Sequence, residues 1–394
     1  MRFDNLLRYA VRILAAYTGE IPLQAWLKNF FRDNPQMGSR DRKQVSEMVY
    51  CYFRLGHALK NIPAEERILT GLFLSNHKPD QVLEHLRPEW HAQIEKPVQE
   101  KLAIVCAVFP GFDVLEIFPW KNLLSADMDH QAFCLSFLEK PRLFVRIRPG
   151  QEKTLTAKLV NLQIDFRDAD PGFTLPFKTY SFAGGTKLDE AFVLNREAVV
   201  QDLSSQRTAL LLKHNGKKEF EAWDCCAGSG GKSILLADLY PGLHLTVSDI
   251  RESILKNLAT RFEEAGIKPT HLFQADLTDR NDLPRQSFNF MVADLPCTGS
   301  GTWSRTPEAL FFFNPDAISG YRQRQEKILT NITEHLKPGG FLVYITCSVF
   351  ADENERVSAR LLESGSMKLE QEELITGYGH AADTMYAARF TKVR

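Results

Sequence analysis

The sequence predicts an α/β fold in which a mostly parallel sheet, covered by helices on both faces, occupies residues 206–394. A small α/β domain over 136–205 and an all-helical domain over 1–135 are expected to precede it. Three observations predict this arrangement. Beyond residue 206 short apolar runs alternate with helical patterns, the signature of a doubly wound sheet. Near Pro141 the texture switches to the strand-like run Leu143-Phe144-Val145-Arg146-Ile147-Arg148, closed by Pro149-Gly150. Upstream, apolar residues recur at helical spacing between repeated breakers.

In the first domain Leu6, Leu7, Val11, Leu14 and Ala15, then Val45, Met48, Val49, Tyr50 and Phe53, keep helical intervals. Gly19, Pro22, Pro35, Gly38, Pro63, Pro79, Pro88 and Pro110 punctuate them. In the second, a helix over 154–162 and a second strand starting at 164–166 follow the first strand, and the domain closes near Val199-Val200-Gln201-Asp202. In the third, strands at 220–223, 243–247, 271–273, 288–292 and 341–345 alternate with helices at 231–240, 251–264, 317–336 and 353–364. Ligands of such sheets sit beyond the carboxyl ends of the strands.

Composition bounds the function only loosely. The 394 residues suit two or three domains at roughly 100–200 residues each. Hydrophobic residues at 44% and charged ones at 25% are ordinary for folded protein. No apolar run nears the roughly 18–20 residues of a membrane span, and no secretory signal opens the sequence, so no membrane partner is expected. Seven cysteines, odd in number and irregularly spaced, predict reduced thiols and a cytoplasmic location. Without a CxxC pair no metal site is expected. Net charge is −1, yet residues 1–60 hold ten Lys or Arg against five Asp or Glu. That excess suits a phosphate backbone, or equally a solvated helical face.

The first strand of the large sheet runs into Asp224-Cys225-Cys226-Ala227-Gly228-Ser229-Gly230-Gly231-Lys232-Ser233 and then a helix. Glycines admit close backbone approach, and a helix start offers free N–H groups. A phosphate loop would need glycine where Cys226 stands, and a dinucleotide fingerprint would need Gly or Ala at Ser233. S-adenosylmethionine has no phosphate and needs only a close turn with polar anchors. Asp249, ending the second strand, can accept both hydroxyls of a ribose, and Asp276, after the third, an adenine amino group. Turn glycines and helix-capping aspartates are the structural alternative for each residue singly; all three at successive strand ends favour a nucleoside site.

The fourth strand ends in Ala293-Asp294-Leu295-Pro296-Cys297 and the fifth in Tyr344-Ile345-Thr346-Cys347-Ser348. Two adjacent parallel strands would then present two thiols to one rim. Cys51, Cys106, Cys134 and Cys225 read as inert small hydrophobes. Two thiols at one rim suit a reaction at carbon 5 of cytosine, a poor nucleophile. A thiolate adding at ring carbon 6 makes the base enamine-like, so that carbon 5 attacks a methyl sulfonium. The carbon 5 proton must then leave before the thiolate is eliminated. A free thiol with a pKa near about 8.5 is only slightly ionised at neutral pH, so the site should favour the thiolate. The helix expected to start near Asp352-Glu353-Asn354, just after Cys347, would help. Asp294 is placed to hydrogen-bond the base at N3 and its amino group.

Cys226-Ala-Gly-Ser-Gly-Gly-Lys232, Asp294-Leu-Pro-Cys297, Arg305-Thr-Pro-Glu308, Gln325-Glu-Lys-Ile-Leu329 and Thr346-Cys347-Ser348 with Glu353-Asn354 resemble the Sun (RsmB-type) RNA cytosine-5 methyltransferases. Gln201-Asp202-Leu203-Ser204-Ser205-Gln206 resembles the lead-in to that family's catalytic domain, and Arg40-Asp41-Arg42-Lys43 with Tyr50 and Arg54 its NusB-like helical RNA-binding domain. The resemblance implies a Rossmann-like S-adenosylmethionine-dependent methyltransferase domain, ribosomal RNA as partner, and a monomer. It implies Cys347 as nucleophile, Cys297 as the thiol assisting release, Asp294 at the base and Lys232 lining the site. Cys226, Ala227, Gly228, Gly230, Gly231, Lys232, Asp249, Arg251, Asp276 and Asp294 would hold the cofactor. Arg305, Arg42 and Arg146 would contact RNA. The chain departs from the family's Ala-Ala-Pro at Ala227-Gly228-Ser229, from its Arg-x-Asn at Arg146-Ile147-Arg148, and from its Asp-Gly-Phe-Phe at Asp383-Thr384-Met385-Tyr386. The alternatives are a transfer-RNA cytosine-5 methyltransferase, or a non-catalytic RNA-binding factor of ribosome assembly.

Overall fold

A computed structural model describes residues 2–170, 175–214 and 219–393. The chain forms two compact units. The first comprises Met1–Leu124, Asp129–Lys140 and Thr302–Pro315. Its helices are α1 (Phe3–Ala16), α2 (Leu23–Asp33), α3 (Ser39–Arg54), α4 (Ala64–Ser75), α5 (Gln81–Leu86), α6 (Pro88–His91), α7 (Val98–Val108) and α8 (His130–Ser136). α1 buries Leu6, Ala10 and Ile13, one per turn, and α3 buries Val45, Met48, Val49 and Phe53. α4 is buried all round from Arg67 to Ser75, as a central helix must be. The Arg67 guanidinium is tolerated inside because it donates to the carbonyls of Gly56 at 2.6 Å and Tyr52 at 3.2 Å.

The second unit holds two sheets. The smaller joins β1 (Leu143–Ile147), β2 (Arg167–Asp168), β3 (Thr179–Phe182) and β4 (Ala198–Val200) in the order β2-β3-β1-β4, with every pairing antiparallel and α9 (Glu152–Asn161) packed on it. The second strand, expected to start within 164–166, starts just after it and spans Arg167–Asp168, while Ile164 and Phe166 pack against the core of this sheet. After α10 (Leu203–Arg207) come β5 (Phe220–Asp224), α11 (Gly231–Leu239), β6 (Leu243–Asp249), α12 (Glu252–Ala265), β7 (His271–Gln274) and β8 (Phe288–Asp294). α13 (Pro307–Phe312) lies in the segment that belongs to the helical unit. Then follow α14 (Ala317–Thr333), β9 (Leu336–Thr346), α15 (Glu355–Leu362), β10 (Met367–Ile375) and β11 (Met385–Lys392).

The large sheet has the order β10-β11-β9-β8-β5-β6-β7. β5 to β9 are mutually parallel, and β11 and β10 add an antiparallel edge. Leu342, Val343, Tyr344 and Ile345 are all fully buried, as strands covered on both faces require. The chain leaves β5 toward β6 and β7, then returns on the other side of β5 with β8. Strand order reverses between β5 and β8, the switch point where such sheets bind ligands.

Arg146, expected to contact RNA, instead has no exposed surface. Its Nη1 lies 2.5 Å from Asp238 Oδ2 on α11, and Nε donates to Gln201 Oε1 at 3.1 Å. A core position facing a buried carboxylate explains the correction: this arginine ties the small sheet to α11. Arg148, the departure from the family pattern, pairs with the same Asp238 at 2.7 Å and caps α12 by donating to the Ala265 carbonyl. Arg146→Met strands part of a buried ion pair, so the urea midpoint should drop by the equivalent of about 3 kcal/mol. Unchanged stability with weakened RNA binding would restore the surface role.

Candidate active site

β5 ends in buried Asp224, whose Oδ2 accepts a 2.5 Å hydrogen bond from Ser233 Oγ on α11. Burial pushes this carboxyl up to about 7, while the Ser233 hydroxyl pulls the other way. The intervening loop turns through Gly228 and Gly230 at φ of +52° and +83°, a region that favours glycine. A Cβ at Gly230 would stand 2.3 Å from Leu258 Cδ1, so this glycine lets α11 begin against α12. A Cβ at Gly228 would enter open space. Ala227 N donates to the Ser248 carbonyl and fastens the loop to β6.

At the end of β6, Asp249 accepts from Gly228 N at 3.0 Å and from the backbone and guanidinium of Arg251. Burial raises its pKa, but these donors outweigh it and hold the carboxyl below the usual range. Past β7, Asp276 accepts from Thr278 N and Oγ1, which likewise lower it. At the end of β8, Asp294 Oδ2 lies 2.6 Å from Lys232 Nζ, near the start of α11. Burial would strip Lys232 of its proton; Asp294 and the charges of Cys347 and Asp224 reverse that and keep it an ammonium.

Cys297 and Cys347 are both partly accessible, and their sulfurs lie 3.3 Å apart. The hydrogen bond with Cys347, reinforced by burial, pushes the Cys297 thiol well up. The helix expected to flank Cys347 starts later: Ala351–Glu353 is a single 3-10 turn and α15 begins at Glu355. A polar scaffold fills that interval. Asn354 accepts from Thr346 Oγ1 at 2.6 Å and donates to the Ser348 carbonyl at 3.0 Å. Gly301 N donates to the Cys347 carbonyl at 2.9 Å, and Gly301 O accepts from Thr384 N at 2.9 Å.

These strand ends surround a cleft of about 560 Å³, a size typical of small-molecule sites. Of the residues expected to bind or react, Cys226, Gly228, Asp249, Arg251, Asp276, Asp294, Cys297 and Cys347 line it. Ala227, Gly230 and Gly231 shape the turn behind the wall, and Lys232 reaches the cleft through Asp294. Ile250, Leu277 and Ile328 add apolar walls, and exposed Arg324 of α14 adds a cation that the sequence reading did not anticipate. In the helical unit, half-buried Arg42 donates from Nε to the Met37 carbonyl at 2.8 Å, and Arg305 is half-buried beside Ser304, whose carbonyl accepts from Arg54. Among the described residues no group of His, Cys, Asp or Glu could hold a metal ion, and no helix is long and apolar enough to cross a membrane.

Residues 209–391 match the family model described as 16S rRNA methyltransferase RsmB/F. The matched segment runs from just before β5 almost to the end of β11 and so takes in the large sheet and its helices. The chain is 32% identical over 251 residues to the probable ribosomal RNA small subunit methyltransferase B of Coxiella burnetii, covering 62% of this chain and 55% of that protein. It is 30% identical over 202 residues to ribosomal RNA small subunit methyltransferase B of Photorhabdus laumondii, covering 49% and 46%. It thus spans about half the length of these curated relatives. Among solved structures it is similar to PH0851, with a TM-score of 0.68 at 16% identity over 100% of this chain and 99% of that one. It is also similar to NSun6 from Pyrococcus horikoshii with SFG, with a TM-score of 0.56 at 16% identity over 70% and 97%. At such identities the likeness shows the fold.

Two tests follow from the geometry of the large-sheet domain. A Cβ on Gly301 would stand 1.9 Å from the Thr384 carbonyl oxygen, and backbone cannot yield as a side chain can. Gly301→Ala should cost about 3 kcal/mol, seen as a lowered melting temperature. Asp224, raised by folding to about 7, binds its proton more tightly folded than unfolded. Stability from this group is therefore present at low pH and lost as pH rises toward 7. Asp224→Asn should flatten that decline between about pH 4 and 7 in urea titrations; an unchanged slope would refute it.

Proposed function

We propose that this chain transfers a methyl group from S-adenosylmethionine to carbon 5 of a cytosine in ribosomal RNA, through a covalent cysteine–cytosine adduct. The observation that carries the reading is the 3.3 Å between the sulfurs of Cys297 and Cys347, at the rim of a cleft lined by three carboxylates. Asp249, Asp276 and Asp294 suit hydroxyl and amino donors and a cationic sulfonium, and they disfavour a phosphate. The open space at Gly228 suits a ligand lying against the loop. SFG, bound in the Pyrococcus NSun6 structure, is an analogue of S-adenosylmethionine. When bound, that cofactor supplies an electrophilic methyl carbon.

The chain's own groups divide the work. Asp249 and Asp276 take the ribose and adenine, and Asp294, steadied by Lys232, takes the N3 and amino edge of the base. Cys347 sulfur forms a bond to ring carbon 6 while N3 gains a proton, so electron density moves to carbon 5. Cys297, having passed its resting proton to solvent, takes the proton from methylated carbon 5; the Cys347–carbon 6 bond then breaks, the sulfur leaves as a thiolate and N3 gives back the proton it gained. The target base must be unpaired or extruded, at a cost of a few kcal/mol. Arg42 and Arg305 are proposed RNA contacts, within a NusB-like helical domain.

Incubation with labelled S-adenosylmethionine and unmodified small-subunit ribosomal RNA should yield 5-methylcytosine. Label in transfer RNA alone would change the substrate, and RNA binding without transfer to any RNA would favour the assembly-factor reading. Cys347→Ala should abolish adducts and transfer. Cys297→Ala, lacking the base for the last proton, should slow turnover by about 10²–10⁴-fold and leave a protein–RNA adduct on a denaturing gel. The reverse pattern of adducts would exchange the two roles.

A further inference from the structure

The scaffold behind the thiols contains one ionisable group that the proposed mechanism does not use. Glu353 is wholly buried, and four donors converge on its carboxylate. Oε1 accepts from Thr298 N at 2.8 Å and from Gln325 Nε2 at 3.3 Å. Oε2 accepts from Thr298 Oγ1 and from Ser348 Oγ, both at 2.6 Å. Ser348 Oγ already accepts from Phe350 N, so its own proton is free for Glu353. Gln325 extends the clamp to the Pro296 carbonyl at 2.9 Å. Thr298 follows Cys297 and Ser348 follows Cys347, so one carboxylate ties together the residues adjoining both thiols.

The charges around the sulfur pair are unequal. Lys232 interacts with Cys347, with Asp294 bonded to it and Asp224 behind. Glu353 opposes charge on Cys297, and the Tyr344 hydroxyl backs it by donating to the Glu353 carbonyl. Burial pushes the Glu353 carboxyl up, while the donors from Ser348, Thr298 and Gln325 pull it back toward the carboxylate; a cation therefore serves one sulfur and a four-fold hydrogen-bonded carboxylate the other. We infer that Glu353 is a positioning residue: it holds the two sulfurs face to face and keeps their shared proton on Cys297, leaving Cys347 as the attacking sulfur. The word "attacking" rests on the proposed methyl transfer; the asymmetry between the thiols does not.

The test uses the full chain without RNA or cofactor. Iodoacetamide at neutral pH alkylates a thiolate with loss of iodide, and mass spectrometry gives separate rates for Cys297 and Cys347. In the wild-type chain Cys347 should react faster. Glu353→Gln removes the charge while keeping the shape, and should narrow that preference by about tenfold, the ratio that one pKa unit gives. A residue that only braced the fold would lower the melting temperature and leave the ratio of rates in the folded protein unchanged; that result overturns the inference. Faster labelling of Cys297 in the wild-type chain also overturns it, and this measurement needs no variant to fold. Because no methyl transfer is involved, an absence of transfer to RNA would sink the proposed function without touching this result.

Discussion

The parallel register of β8 against β9 is the constraint from which the rim of the cleft follows. It sets Asp294 opposite Ile345, and Leu295 N donates to the Ile345 carbonyl just as both strands leave the sheet. Side chains two or three residues further on must then come out together. Cys297 and Cys347 meet for this reason, although 50 positions separate them in sequence. A one-residue slip would turn one of these chains to the opposite face. The fully buried faces of both strands make that slip expensive.

The cleft is organised around one buried cation. Lys232 would be a costly resident of a protein interior without partners. Its contact with Asp294, and the nearby Asp224 and Cys347, make its ammonium the natural state there. The same arrangement joins the two ends of the site, because Lys232 belongs to the loop-to-helix turn after β5 whereas Asp294 ends β8. The two ends of the cleft are thereby mechanically linked across the switch point.

Most of the large sheet was legible because its strands are either continuous apolar runs or end in chemically conspicuous residues. The strand ends at Asp249 and Asp294, and Cys347 just past the end of β9, all line the cleft. The C-terminal β10–β11 hairpin was not read. Met367–Ile375 is an edge strand whose Glu370, Glu372 and Glu373 face partly outward and mask any alternation. Arg146 was misread because a charge in a strand looks exposed until a buried partner is known, and Asp238 lies 92 residues away. Glu353 stood in a recognised motif, but nothing local signals that it bridges Thr298 and Ser348; that contact exists only once β8 and β9 are paired. Arg324 escaped notice because a cation on the exposed face of an amphipathic helix has no distinguishing spacing.

The helical unit also borrows a piece of chain made long after the rest of it. Glu308 accepts from Leu23 N at 3.1 Å, Arg54 holds the Ser304 carbonyl at 3.1 Å, and Phe311 and Phe312 pack on Phe53 at ring separations of 5.3 and 5.9 Å. During synthesis, α1 to α4 leave the ribosome well before these rings exist. Their apolar bed stays open until translation passes residue 315. The amino-terminal unit consequently has all of its chain only when the middle of the next has been made, late for a unit that begins the sequence, though still ahead of the other unit.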